Sequence, residues 1–172
     1  SFTLDASTIT NALNTATSTS SNPLGLLSNG TLIITANTLN NSNGLLTAQH
    51  VNAQLANLAN AAGSLNANTV TLNVTNSLSN ASGGLIQSLA SSDNSLALNV
   101  TGSLNNSGGT LRSNANHWTV TADSVANRSG FIDHLGSGTL GFITDSVDNS
   151  AGGVIASTGA LSLSGLTSIN ND

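Results

Sequence analysis

Residues 104–120, with the sequence LNNSGGTLRSNANHWTV, contain the pattern that decides the fold. Leu104 and Leu111 lie seven residues apart, and Asn106 and Gly109 follow Leu104 at two and five residues. Polar, hydroxyl and glycine residues fill most of the other positions. Recurrence of this arrangement on a fixed period would define the architecture of the whole chain, whereas a single occurrence would indicate an irregular loop.

The arrangement recurs along the chain as an apolar residue followed by Asn at +2, Gly at +5 and another apolar residue at +7. The repeated asparagines are Asn41, Asn60, Asn80, Asn106, Asn127 and Asn149, and the repeated glycines are Gly44, Gly63, Gly83, Gly109, Gly130 and Gly152. An earlier copy keeps Asn22, Gly25 and Leu27 but has Ser20 at its first position. The copies start at 20, 39, 58, 78, 104, 125 and 147, and a further start is predicted at 166. A period near 20 residues predicts that each copy is one coil of a solenoid.

The second half of each repeat alternates apolar and polar residues. Val70, Leu72 and Val74 follow this alternation, and residues 118–122 repeat it with Trp118 at an inward position. A period of two is typical of a half-buried strand. Because one coil cannot enclose its own core, the coils must stack. The sequence therefore predicts an all-β chain, a parallel β-helix of about eight coils that is roughly 40 Å long at 4.8 Å per coil.

Each repeated residue has a predicted structural role. The Gly at +5 suits a turn that needs a positive φ or a close approach of two backbones. The Asn at +2 can bond to its equivalents in neighbouring coils and form a ladder of side-chain amides. We therefore assign the repeated Asn and Gly residues to structure rather than to catalysis.

Composition excludes several classes of function. The chain has 172 residues, a net charge of -5 and only two basic residues besides histidine, Arg112 and Arg128. Nucleic-acid binding is not expected, because neutralising phosphates requires clustered Lys and Arg. No apolar run reaches the 18 residues of a membrane span. The absence of cysteine excludes disulfides and thiolate metal sites.

Departures from the period are the places where loops should leave the solenoid. We predict insertions near residues 87–95, 113–117 and 133–137, in the same part of three successive coils, and a further one near 11–22. The three successive insertions should lie side by side on one flank. The residues predicted to be presented there are Asp93, Arg112, His117, Asp133 and His134.

This flank has two interpretations. It is either a recognition patch for a partner protein or glycan, or the result of tolerated variation in loop length. Asp133 and His134 could also form half of a metal site or of a catalytic dyad, although the sequence places no third group beside them. We favour an ordinary surface histidine.

The repeat resembles that of filamentous haemagglutinin, and the stretches LNNSGGTLRS (104–113) and VDNSAGGVIAS (147–157) carry the likeness. Such repeats build the shafts of large bacterial exoproteins exported by two-partner secretion, which include haemagglutinin adhesins and the toxin-delivery proteins of contact-dependent growth inhibition. The resemblance covers roughly residues 1–172. It implies a single segment of a right-handed parallel β-helix within a longer protein, export through an outer-membrane partner transporter and a location at the bacterial cell surface. It implies no catalytic residues, no metal and no cofactor.

Two other functions compete with a shaft. Pectate lyases and polysaccharide hydrolases also use parallel β-helices, but their sites need clustered carboxylates, and this chain has few acidic residues and no Glu or Lys. Ice binding needs a regular array of outward threonines, and the outward positions here are mixed, as Asn52 and Ala97 illustrate.

Overall fold

The computed structural model describes residues 1–12 and 25–172, and this part of the chain forms strands and no helix. All the strand pairings are parallel, and the strands stack into a β-solenoid of about seven turns, which confirms the predicted fold class. No helix that could cross a membrane occurs in the described residues. The strands are β1 (Phe2–Thr10), β2 (Leu26–Leu27), β3 (Thr31–Asn40), β4 (Leu45–Ala59), β5 (Ser64–Ser79), β6 (Leu85–Ser88), β7 (Leu96–Val100), β8 (Ser103–Asn105), β9 (Thr110–Ser113), β10 (Trp118–Thr121), β11 (Ser124–Ala126), β12 (Phe131–His134), β13 (Thr139–Ile143), β14 (Ser146–Asp148), β15 (Val154–Ser157), β16 (Ala160–Ser164) and β17 (Ser168–Asn170).

The coils form three faces. The first face contains β2, the start of β4 and of β5, and then β6, β9, β12 and β15. The second face contains the starts of β1 and β3, the middle of β4 and of β5, and then β7, β10, β13 and β16. The third face contains the ends of β1, β3, β4 and β5, and then β8, β11, β14 and β17.

Inward apolar residues form columns that run along the solenoid. On the third face Leu39, Leu58, Leu78 and Leu104 stack in register and are fully or almost fully buried. Trp118 is fully buried on the second face opposite Leu140, so its predicted inward position is confirmed. The stacking of equivalent apolar residues in the internal coils gives one continuous core, in which Trp118 and Phe142 are the large aromatic side chains.

The first and last coils differ from the predicted register. Ile9 pairs with Leu39, so the first coil starts at Ile9 rather than at Ser20, and Ile169 rather than Leu166 pairs with Val147. Leu26 pairs with Leu46, whereas Leu27 is 52% exposed. The spacing rule misses this start because Leu26 follows Asn11 by 15 residues in the sequence, whereas Leu46 follows Asn41 by five. Most of the insertion predicted at 11–22, including Ser20 and Asn22, lies outside the described residues.

Gly83 and Gly152 were wrongly assigned to the +5 position of the repeat. Their turns contain one extra residue, so the equivalents of Gly109 are Gly84 and Gly153. Gly83 and Gly152 instead adopt positive φ values of 84° and 76°, with open space where a Cβ would lie.

The +5 glycine is required by a close approach of two coils. A Cβ on Gly109 would lie 1.8 Å from the carbonyl oxygen of Asn80 in the preceding coil. The positive φ lies one residue earlier, at Gly108 in this coil and at Ser129 in the next. Of the two roles predicted for this glycine, the close approach is confirmed and the positive φ is not.

Candidate functional site

The extra residues of three successive coils lie at one corner, between the first and second faces. In the regular coil two residues, 68 and 69, connect Ala67 to Val70. The next three coils use residues 89–95, 114–117 and 135–139 at the same corner. We call these three segments the loop corner.

The segments of the loop corner bond to one another. The Asn94 amide donates to the His117 carbonyl oxygen at 2.7 Å, and the His117 amide donates to Asp93 Oδ1 at 3.1 Å. The Thr139 amide donates to His117 Nδ1 at 3.0 Å. Asp93 and His117 are both exposed, so the loop corner is an ordered surface that presents these two of the five predicted patch residues.

Arg112 and Asp133 lie on the outer side of the first face rather than in the loops. They are opposite each other on β9 and β12, and Arg112 Nε donates to Asp133 Oδ2 at 2.9 Å. The side chain of Arg112 is 39% exposed and that of Asp133 is 11% exposed. Their charges therefore neutralise each other, and the carboxylate is largely covered.

The prediction that His134 is a surface residue is wrong, because its side chain is completely buried. Strand β12 continues to His134, so its alternation places Ile132 inward, Asp133 outward and His134 inward. The inserted loop begins only at Leu135. Since Asp133 and His134 point to opposite sides of one strand, they cannot act together as a dyad or as paired metal ligands.

His134 belongs to a short polar column inside the solenoid. Its Nδ1 lies 2.9 Å from Ser157 Oγ, and its Nε2 lies 2.8 Å from the Ala115 carbonyl oxygen. Its ring is tilted against Trp118, with 6.4 Å between the ring centroids. In the preceding coils Ser88 Oγ lies 3.1 Å from Ser113 Oγ at the same inward position.

This polar column was not predicted from the sequence, although the sequence contains a signal for it. The inward position at the end of the first face holds Ala48 and Ala67 in regular coils, and it turns polar only in the coils with longer corners. No group of three His or Asp residues within residues 1–12 and 25–172 is arranged to hold a metal ion.

The second arginine is also paired. Arg128 Nη1 donates to Asp148 Oδ2 at 3.1 Å. The pKa of the Asp148 carboxyl is held below its ordinary value, mainly by hydrogen bonding from Ser150 and to a smaller extent by Arg128. The Ser150 amide donates to Asp148 Oδ1 at 3.2 Å. The Ser150 hydroxyl lies close to the same carboxylate, although its geometry does not meet that of a hydrogen bond.

The repeated asparagines form one continuous ladder of side-chain amides. In every step Nδ2 of one coil donates to Oδ1 of the next, over 2.6 to 2.8 Å. From Asn11 to Asn149, each Nδ2 also donates to one or two backbone carbonyl oxygens, as Asn106 does to Gly109 and Phe131. The ladder consists of Asn11, Asn41, Asn60, Asn80, Asn106, Asn127, Asn149 and Asn171.

Comparison with known proteins gives no match: no family model fits the sequence, and no curated protein or solved structure matches it. The structure by itself is that of a β-helix repeat protein.

Proposed function

We propose that this chain is a non-enzymatic rod segment of a large secreted bacterial exoprotein of the filamentous haemagglutinin type. The observation that supports the proposal most strongly is the unbroken asparagine ladder, which runs from Asn11 to Asn171 with every bond in the same direction. A protein whose coils repeat one set of buried bonds has the continuous, regularly stacked core that a stiff spacer needs.

The parent exoprotein in this proposal is an adhesin or a toxin-delivery protein of contact-dependent growth inhibition. It would leave the cell through an outer-membrane partner transporter and hold a distal binding or toxic module away from the bacterial surface. The support is the repeat pattern of residues 104–113 and 147–157 together with the β-solenoid fold.

Lateral recognition at the loop corner is a second candidate function. The observation that favours it is the ordered stacking of three inserted segments, in which Asp93 and Asn94 bond directly to His117. A receptor or glycan on a target cell would contact exposed groups that are already held in place, which lowers the entropic cost of binding.

Cell binding separates the two candidates. Fluorescently labelled protein is incubated with candidate host and bacterial cells beside a variant in which residues 89–95 are replaced by Asn-Thr, the sequence of the regular corner at 68–69. Circular dichroism checks that both proteins keep their β structure. Saturable binding that the variant loses would establish recognition and contradict a plain shaft, whereas absence of binding by both folded proteins supports the shaft and overturns recognition.

The proposal includes no catalysis. Incubation of the purified chain with polygalacturonate, with and without CaCl2, should release no unsaturated or reducing ends. Turnover above a blank would instead support a polysaccharide-acting β-helix enzyme.

A further inference from the structure

A groove of about 380 Å³ lies at another corner of the solenoid, between the second and third faces. It runs across successive coils, along one column of outward strand residues and one column of turn residues. We call it the aspartate groove. The strand side presents Asn99, Thr121 and Ile143, and the turn side presents Thr101, Asp123 and Asp145.

Two acidic side chains of the groove are equivalent residues of successive coils. The Asp145 amide donates to the Asp123 carbonyl oxygen at 3.0 Å, which places the two residues one coil apart, about 4.8 Å. Both residues are exposed, and neither carboxylate has a hydrogen-bond or ion-pair partner among residues 1–12 and 25–172. Like charges on neighbouring strands repel each other, so a positively charged group placed between the two carboxylates would relieve this repulsion.

The chain itself does not supply the missing positive charge. Its only two arginines are engaged elsewhere, Arg112 with Asp133 and Arg128 with Asp148. A cation that binds at the groove must therefore come from another molecule.

The opposite side of the groove restricts the chemistry of that cation. Ile143 is 53% exposed and offers aliphatic surface beside the carboxylates. Asn99 donates through its Nδ2 to Asn73 at 2.8 Å, which leaves its Oδ1 as an acceptor, and Thr121 adds a hydroxyl. The ligand should thus combine positive charge, several N–H donors and an apolar stem.

An arginine side chain satisfies all three requirements. Its planar guanidinium has five N–H donors and can contact two carboxylates at once, while its methylene stem packs on apolar surface. A bare metal ion would leave the aliphatic side of the groove unused. The groove volume also lies in the range of sites that bind small organic groups rather than single ions.

We propose that the aspartate groove is a docking site for an arginine side chain presented by an extended segment of a partner protein. The guanidinium lies between Asp123 and Asp145, and its stem lies against Ile143. This inference does not depend on the proposed function, because it concerns a different corner of the solenoid from the loop corner.

The test is a titration of the ¹⁵N-labelled full chain with the peptide acetyl-Val-Arg-Val-amide, followed by NMR. We expect saturable shifts confined to the amides of residues 99–101, 121–123 and 143–145. The same peptide with citrulline in place of arginine has a neutral side chain of similar shape and should produce no saturable shift. The double variant Asp123→Asn/Asp145→Asn should bind the arginine peptide at least tenfold more weakly.

The matched control is Asp5→Asn/Asp172→Asn, which removes the same charge from exposed positions outside the groove and should bind like the unmodified chain. The proposal is overturned if this control weakens binding equally, if the citrulline peptide binds equally, or if the shifts map elsewhere. Saturable shifts of the same amides with CaCl2 alone, together with displacement of the peptide, would replace the arginine site by a cation site.

Discussion

At the scale of single residues, the fold depends on two positions in each repeat. The asparagine amide joins neighbouring coils through its side chain, and the glycine allows the backbones of those coils to approach. Asn106, for example, accepts from Asn80 and donates to Asn127, and it is fully buried. Removing one partner of a buried hydrogen bond leaves the other partner buried and unpaired, which costs more free energy than the intact bond contributes. Each step of the ladder is therefore sensitive to substitution.

The first prediction concerns this ladder. Asn106→Ala leaves the Asn127 Oδ1 without its donor and deprives Asn80 of an acceptor, so the free energy of unfolding should fall by about 2 to 4 kcal/mol. Asn99→Ala, at an exposed asparagine in the preceding coil, should change it by about 0.5 kcal/mol or less. Urea denaturation followed by circular dichroism measures both values, and equal effects would show that the ladder does not stabilise the solenoid.

The second prediction uses two adjacent glycines. Gly109→Ala places a Cβ against the Asn80 carbonyl oxygen and should prevent the coils from closing, whereas Gly108→Ala should cost about 1 kcal/mol of left-handed strain. The equivalent turns already hold Ala62 and Ser129 at positive φ. Soluble yield and the urea midpoint of unfolding compare the two variants. A lower yield and midpoint for Gly108→Ala than for Gly109→Ala would contradict the assignment of Gly109 to the close approach of the coils.

Sequence spacing could predict which residue types repeat but not always which of two glycines is used. In the Gly83-Gly84 and Gly152-Gly153 pairs the extra turn residue shifts the register by one. Counting five residues from the apolar start therefore selects the wrong member. Only the position of the neighbouring coil's backbone distinguishes the two, and that contact is made between residues far apart in sequence.

At the scale of elements, strands and corners follow different rules. Strand residues point alternately inward and outward wherever the backbone pairing between strands continues, and this alternation could be predicted from the sequence. The points where a strand ends and a loop begins were less predictable, as His134 shows. Its position after Asp133 suggested a polar loop, yet β12 pairs with both β9 and β15 as far as this residue.

The third prediction compares two histidines of the same region. His134→Ala should lower the free energy of unfolding by about 2 to 4 kcal/mol, because it leaves a cavity beside Trp118 and unpairs buried polar groups. His117→Ala, at the exposed loop corner, should cost about 1 kcal/mol or less through its bond to Thr139. The measurement is urea denaturation of the two variants under identical conditions. A greater loss for His117→Ala would place His134 outside the core.

At the scale of the whole molecule, the stacked coils form a solenoid with a constant advance per coil. Each coil adds one strand to each face, so distance along the axis grows by about 4.8 Å per coil whatever the lengths of its corners. The period of the sequence predicted this architecture because the internal coils bury the same columns of apolar residues. It did not predict the aspartate groove, since the approach of Asp123, Asp145 and Ile143 depends on the corner geometry.

The measurement that tests the rod most directly is a set of distances between spin labels on one outward column. Thr35, Thr121 and Ser164 lie on this column, with Thr121 four coils and Ser164 six coils from Thr35. The chain has no cysteine, so Thr35→Cys/Thr121→Cys and Thr35→Cys/Ser164→Cys each accept two labels at defined sites. Pulsed electron paramagnetic resonance should give narrow distributions centred near about 19 Å and about 29 Å, which is the product of coil number and strand spacing. Broad distributions, or two distances that do not differ by about two strand spacings, would contradict a rigid solenoid of stacked coils.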